Sequence, residues 1–224
     1  MSTLKPKYIS FDCYGTLIKM EFAIMARKMF ADRVPPEKME RFVIDFYKYR
    51  LDEVMNAWQP YDVVLKNSLE RTCKRWGLQF KEEEGQAFYD AVPTWGPHAD
   101  VQSGLQRLAK KYPLVIFSNA AEEQIMHNVE KLGAPFYRVF TAEEAKVYKP
   151  RLGAFEYMLD NLGCKPEEIL HVSSSFRYDL FSADDMGIKN KVFVARGHDR
   201  PADSSYSYHQ VADINGLADL LGLD

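Results

Sequence analysis

Three short apolar runs in this chain each stop abruptly in small polar residues. Tyr8-Ile9-Ser10-Phe11 leads into Asp12 and Tyr14-Gly15-Thr16, Leu114-Val115-Ile116-Phe117 into Ser118-Asn119-Ala120, and Ile169-Leu170-His171-Val172 into Ser173-Ser174-Ser175. Short apolar runs bounded by turn-forming residues read as buried strands. Between and after them, Val101, Leu105 and Leu108, then Ile125, Val129 and Leu132, then Leu152, Phe155, Leu159 and Leu162 recur at three- and four-residue intervals, the spacing of amphipathic helices. Strands alternating with helices imply parallel βαβ units and hence an α/β, doubly wound Rossmann-like sheet. In such a sheet ligands bind beyond the carboxyl ends of the strands, where the polar residues ending each run would gather.

One stretch does not follow this alternation. Residues 19–94 are rich in Met, Phe, Tyr, Glu, Lys and Arg at helical spacing, with no comparable apolar strand. They read as an inserted helical cap, broken by Pro35-Pro36 and Gln59-Pro60. Pro93-Thr94-Trp95-Gly96-Pro97 reads as the return hinge, leaving residues 1–18 and 95–224 for the core domain. Within the tail, Val192-Phe193-Val194 and a Leu-rich end complete the sheet domain.

Composition narrows the choice of partner. With 224 residues, 46% apolar and 27% charged, the chain can bury a core without covalent staples, and its formal charge of -3 gives no basic footprint for nucleic acid. Cys13, Cys73 and Cys164 are widely spaced, which suits neither a disulfide framework nor a zinc site. The expectation is a reduced, cytoplasmic protein. No apolar stretch approaches the ~20 residues of a membrane span, so no membrane partner is expected.

The residues at the strand ends carry the chemistry: Asp12-Cys13-Tyr14-Gly15-Thr16, Ser118-Asn119, Lys149-Pro150, and Ser173-Ser174-Ser175 with Asp179. Singly, each has an ordinary explanation. Asp before Gly-Thr makes turns, Ser-Asn caps helices, a lysine before proline is usually solvated, and Asp179 would suit a helix N-terminus. Their order along one sheet edge is what separate structural roles would not produce. The set resembles the haloacid dehalogenase superfamily, whose members carry an aspartate nucleophile after the first strand, a Ser or Thr after the second, a lysine before a later helix and an acidic loop after the fourth. The likeness spans almost the whole chain, the helical cap included.

Two branches of that superfamily compete. Its phosphatases read Asp-x-Asp in the first motif and bind magnesium, which needs near-octahedral oxygen ligation anchored by carboxylates. Here the second acid is replaced by Tyr14, and Ser173 and Ser174 stand where the fourth motif would supply Gly-Asp. The Ser-rich fourth motif, the Asp12-x-Tyr14-Gly15-Thr16 run and Val147-Tyr148-Lys149-Pro150 instead resemble the metal-independent L-2-haloacid dehalogenases. That resemblance implies displacement of halide from C2 of a short 2-haloacid by Asp12, followed by attack of water on the aspartyl ester, with no metal and no cofactor. A departing halide needs no proton, so a second acid is dispensable. Asp179 is the candidate to orient or deprotonate the water, with Ser173, Ser174 and Ser175 positioning it.

A carboxylate attacking a carboxylate substrate must overcome repulsion of about 4 kcal/mol for like charges ~4 Å apart at an effective dielectric near 20. Lys149 is expected to hold Asp12 ionised. Ser118, Asn119, Thr16 and the backbone at Cys13 and Tyr14 are expected to receive the substrate. The family also places a cap arginine at the site; Arg50 is favoured here over Arg41. Departures remain: Phe155 stands where the family often has Tyr, the run from Ser173 to Asp179 is one residue longer than the dehalogenase pattern, and Arg177 has no counterpart. A divergent phosphatase and a non-catalytic anion-binding protein are the alternatives. The resemblance also implies a homodimer.

Overall fold

A computed structural model describes residues 4–198 and 206–224 of the chain. In chain order the elements are β1 (Tyr8–Phe11), four helices α1 (Phe22–Met29), α2 (Pro36–Met55), α3 (Tyr61–Arg75) and α4 (Glu82–Ala91), then α5 (Val101–Ala109), β2 (Leu114–Ser118) and α6 (Glu122–Val129). There follow β3 (Arg138–Thr141), α7 (Ala142–Ala145), α8 (Leu152–Leu162), β4 (Ile169–Ser173), a π-helical turn (Phe176–Leu180) running into α9 (Phe181–Asp185), β5 (Asn190–Val194), β6 (His209–Val211) and α10 (Ile214–Leu220). The chain divides into two compact units, Met1–Lys19 with Gly96–Asp224, and Met20–Trp95.

In the first unit the described strands form one parallel sheet in the order β3-β2-β1-β4-β5-β6. This is the doubly wound arrangement expected from the alternating runs, and its order reverses between β1 and β4. Phe11 lies opposite both Ile116 of β2 and Val172 of β4, so the residues following these strands emerge side by side. β1, β2 and β4 are buried along their whole length, which is why they read as continuous apolar runs rather than alternating ones. On one face Phe117, Phe140, Phe155, Met158 and Ile169 form a core, each such side chain contributing about 1.5–3 kcal/mol by leaving water. Elsewhere in the unit α5 meets α10 closely at Gly104, where any Cβ would lie 2.7 Å from the Ile214 backbone.

β3 and β6 are additions to the sequence reading. β3 opens on an exposed Arg138 and is only half buried, and β6 has three residues with two exposed, so neither carries the apolar signature of the inner strands.

The second unit is helical. Proline begins α2 at Pro36 and immediately precedes α3 at Pro60, where its missing N–H costs nothing. Phe22 packs on Phe46, Phe88 and Trp95 with ring centroids 4.7–6.0 Å apart. The aromatic residues at helical spacing therefore serve in large part as core: Phe46 is fully buried and Tyr61 nearly so. No helix among the described residues is long and apolar enough to cross a membrane.

Candidate active site

Asp12 follows β1 directly, and its N–H donates to the Val172 carbonyl of β4 at 3.0 Å, extending the sheet by one bond. The chain must then turn away. It does so at Gly15, whose φ of +97° is disfavoured for a residue with a side chain, and where a Cβ would come within 3.3 Å of the His198 ring. The turn is held by Leu17 and Ile18 N–H groups donating to the Cys13 carbonyl and by Arg196, whose Nε donates to the Thr16 carbonyl at 3.0 Å. Arg196 is itself fixed by a two-pronged pair with Asp100 at 2.7 and 2.8 Å.

The Lys149 ammonium lies between two carboxylates. Its Nζ donates to Asp12 Oδ1 at 3.0 Å, to Asp179 Oδ1 at 2.6 Å and to the Phe117 carbonyl at 2.8 Å. Thr16 Oγ1 donates to the other Asp12 oxygen at 2.7 Å and accepts the Ser174 N–H at 2.9 Å. Ser173 Oγ donates to Asp179 Oδ2 at 3.0 Å. Asp12 retains 12% side-chain exposure, whereas Lys149 and Asp179 have 1% and none, so Asp12 is the member of the trio that solvent or a small molecule can reach.

Electrostatics follow from that geometry. Burial pushes the Asp12 carboxyl above the usual carboxylate range; Lys149 pulls against the rise and the Asp179 charge adds to it. Burial alone would raise Asp179 too, but Lys149 and His171 outweigh it and hold that carboxyl below the usual range. Burial would likewise discharge Lys149; Asp12 and Asp179 overcome it and keep the ammonium above its ordinary range. Burial pushes the Cys13 thiol far up, which leaves its sulfur no nucleophilic thiolate.

The remaining candidates divide by what they touch. Ser118 Oγ, at the end of β2, is buried and has no hydrogen-bond partner among the described residues. Asn119 clasps the main chain of Lys149, its Nδ2 donating to the lysine carbonyl and its Oδ1 accepting the lysine N–H, both at 2.8 Å. The Tyr14 hydroxyl donates to Asn128 Oδ1 at 2.9 Å. Ser174 Oγ lies 3.0 Å from both Thr16 Oγ1 and His198 Nε2. Ser175 gives its N–H to Ser173 Oγ and caps the π-turn through the Tyr178 N–H. The run from Ser173 to Asp179 passes into that turn, where Leu180 N–H reaches back five residues to the Ser175 carbonyl. Arg177 is exposed on it.

Within the helical unit, Arg50 is 7% exposed, its guanidinium carbon 5.2 Å from the ring centres of Phe22 and Tyr47. Arg41 is largely exposed and paired with Asp45 at 3.2 Å.

Sequence reasoning missed His171, Arg196 and His198. For His171 a signal existed, since Ser10 and His171 are polar residues inside otherwise apolar runs and prove to be register partners. Arg196 and His198 act on a loop some 180 residues earlier, and nothing local marks them.

The doubly wound sheet thus brings together a carboxylate at the tip of β1, a lysine from the segment before α8 and a second carboxylate from the turn after β4. Residues 6–187 match the family model for haloacid dehalogenase-like hydrolases, and the chain belongs to that family. It is 23% identical over 222 residues to (S)-2-haloacid dehalogenase 4A of Burkholderia cepacia, covering 94% of this chain and 93% of that one. It is 27% identical over 119 residues to a glyceraldehyde 3-phosphate phosphatase of Methanothermobacter thermautotrophicus, covering 50% and 53%. The structure of L-2-haloacid dehalogenase from Xanthobacter autotrophicus with chloropropionic acid covalently bound superposes with a TM-score of 0.78 at 21% identity, covering 97% and 99%. At that identity the likeness speaks for the fold.

Proposed function

We propose that the chain hydrolyses short 2-haloalkanoic acids to 2-hydroxy acids without a metal or other cofactor, Asp12 being the nucleophile. The observation that carries this reading is the ammonium of Lys149 seated between the Asp12 and Asp179 carboxylates. A carboxylate raised by burial is a better nucleophile when ionised, and the adjacent ammonium pulls against that rise and favours the ionised form. Asp12 forms a bond to C2 as the carbon–halogen bond breaks. Water then attacks the ester carbonyl of Asp12, oriented by Asp179 with Ser173, Ser174 and Ser175 around it. Ser118 Oγ and the backbone at Cys13 and Tyr14 receive the substrate carboxylate, Thr16 aligns the nucleophile, and Asn119 sets the lysine.

A divalent cation suits this donor set poorly. With Tyr14 two residues after Asp12 and Ser173 and Ser174 after β4, Asp12 and Asp179 are the carboxylates brought here, and each of their oxygens already accepts from Lys149, Thr16, Ser173 or His171. These points favour dehalogenation over the magnesium-dependent phosphatase chemistry.

The test is halide release from L-2-chloropropionate, bromoacetate and fluoroacetate with a chelator present, together with a single turnover in heavy-oxygen water. Release is expected with chelator, and the label is expected in Asp12. Magnesium-dependent cleavage of an aryl phosphate without halide release would support the phosphatase reading, and silence in both assays would favour the anion-binding one. Label in the product after one turnover would mean direct attack by water.

Of the two arginines, we propose Arg50 as the cation for substrate or halide. Arg50→Lys is expected to lower kcat/KM for halide release by about tenfold or more, because a point charge does not replace a planar guanidinium between aromatic rings. Arg41→Ala should leave it near the native value, since Arg41 is largely exposed and its buried partner Asp45 keeps Lys48, Arg75 and Trp76. Equal losses in both variants would reject the assignment. The free thiols Cys13, Cys73 and Cys164 support a cytoplasmic setting, and by likeness to the family we infer a homodimer.

A further inference from the structure

One fully buried titratable side chain has no part in the scheme above. His171, in the middle of β4, is wholly buried, with the Phe117 and Phe155 rings edge-on to it at centroid distances of 6.1 and 5.7 Å. A buried imidazole is costly unless both nitrogens are satisfied. Both are: Nδ1 lies 2.8 Å from Ser10 Oγ on the neighbouring strand and Nε2 lies 3.1 Å from Asp179 Oδ1.

We propose that His171 is a positioning residue for the second half of the reaction, holding Asp179 in place while Lys149 changes its balance of partners. The proposal rests on the dehalogenase reading and deepens it. An ionised carboxylate only accepts, so Nε2 carries a proton towards Asp179, while the Ser10 hydroxyl holds the ring at Nδ1. Asp179 is then gripped from three sides, by Lys149 and His171 on Oδ1 and by Ser173 on Oδ2.

That grip matters because the charge beside it changes during turnover. In the resting site Lys149 is shared between two carboxylates. Once Asp12 becomes an ester it is neutral, and of the two carboxylates that flank the ammonium in the resting site only Asp179 keeps its charge, beside the Phe117 carbonyl. Without His171, Asp179 Oδ1 would have that ammonium as its one partner among those named and would be drawn towards it, with Oδ2 tethered by Ser173. His171, fixed by Ser10 within the rigid sheet, resists the displacement. The water oxygen bonds to the ester carbonyl carbon as its proton passes to Asp179. The bond from that carbon to the substrate oxygen then breaks, the departing 2-hydroxy acid oxygen takes the proton from Asp179, and the new Asp12 carboxyl loses its proton to solvent. The first half, halide displacement, does not use Asp179 as a proton acceptor and so should be spared.

The experiment is rapid quenching of native, His171→Phe and Ser10→Ala protein with excess L-2-chloropropionate, following first-turnover halide and the intact mass of the quenched chain. In His171→Phe, halide is expected in a first-turnover burst close to the native rate. Steady turnover should fall about tenfold to a hundredfold, the usual range for removing a group that orients a reacting side chain, and the ester adduct should accumulate. Ser10→Ala should show the same pattern more weakly, and it decides the matter if circular dichroism shows His171→Phe to be unfolded. Equal slowing of both half-reactions, or a native profile in the folded variants, overturns the role of His171 alone. A native chain that releases no halide and forms no adduct overturns the dehalogenase reading and this inference with it.

Discussion

Asp12→Asn is expected to lower halide-releasing turnover by at least ~10⁴-fold, the scale on which losing a covalent nucleophile acts, while the fold survives. The amide is isosteric with the carboxylate and can turn its oxygen to Lys149 and its nitrogen to the Thr16 hydroxyl, the two partners Asp12 has now. Removing the charge leaves Lys149 and Asp179 as a one-to-one pair 2.6 Å apart, so no group is left both charged and alone. Thermal unfolding should therefore stay near the native curve, and no substrate adduct should appear in the mass of the quenched variant. Near-native turnover by a homogeneous Asn variant would remove the covalent step from the mechanism.

Lys149→Met should have the largest effect on stability. Two buried carboxylates would lose their shared cation, and breaking a buried pair in this way typically costs about 3–5 kcal/mol. The deficit should depend on pH with a definite sign. In the native protein the Asp179 carboxyl is held below its unfolded value, so it adds stability above the unfolded value that disappears as pH falls through the folded one. Without Lys149 the main lowering influence is gone and burial drives Asp179 upward, as it already does Asp12. Both acids then resist ionisation, and the variant should be least stable relative to native near pH 7, recovering part of the loss towards about pH 5. Urea unfolding of both proteins at the two pH values measures this; a deficit independent of pH would show that lost packing, not unpaired charge, is responsible. Halide release should be lost as well, since the charge that favours the ionised form of Asp12 would be gone.

The inner sheet was legible because β1, β2 and β4 are buried on both faces and end in residues that cannot continue a buried strand. β3 and β6 were not, since partly exposed edge strands need no apolar signature. The polar residues at the strand ends could be read as a group, but not their division of labour. That Asn119 would clasp the Lys149 backbone, or that Tyr14 would turn to Asn128, depends on contacts set by tertiary packing. The imidazole of His171 was hidden by its position inside an otherwise apolar run. Its meaning appears only when parallel pairing sets it against Ser10 and the following turn brings Asp179 back onto it.

The widened turn at Phe176–Leu180 bears on how relatives of this chain should be compared with it. Because the chain widens between the serines and the acid, counting five residues on from Ser173 lands on Tyr178 and misses the carboxylate next to it. In chains of this kind the counterpart of Asp179 is better located by which acid faces the lysine than by its offset along the polypeptide.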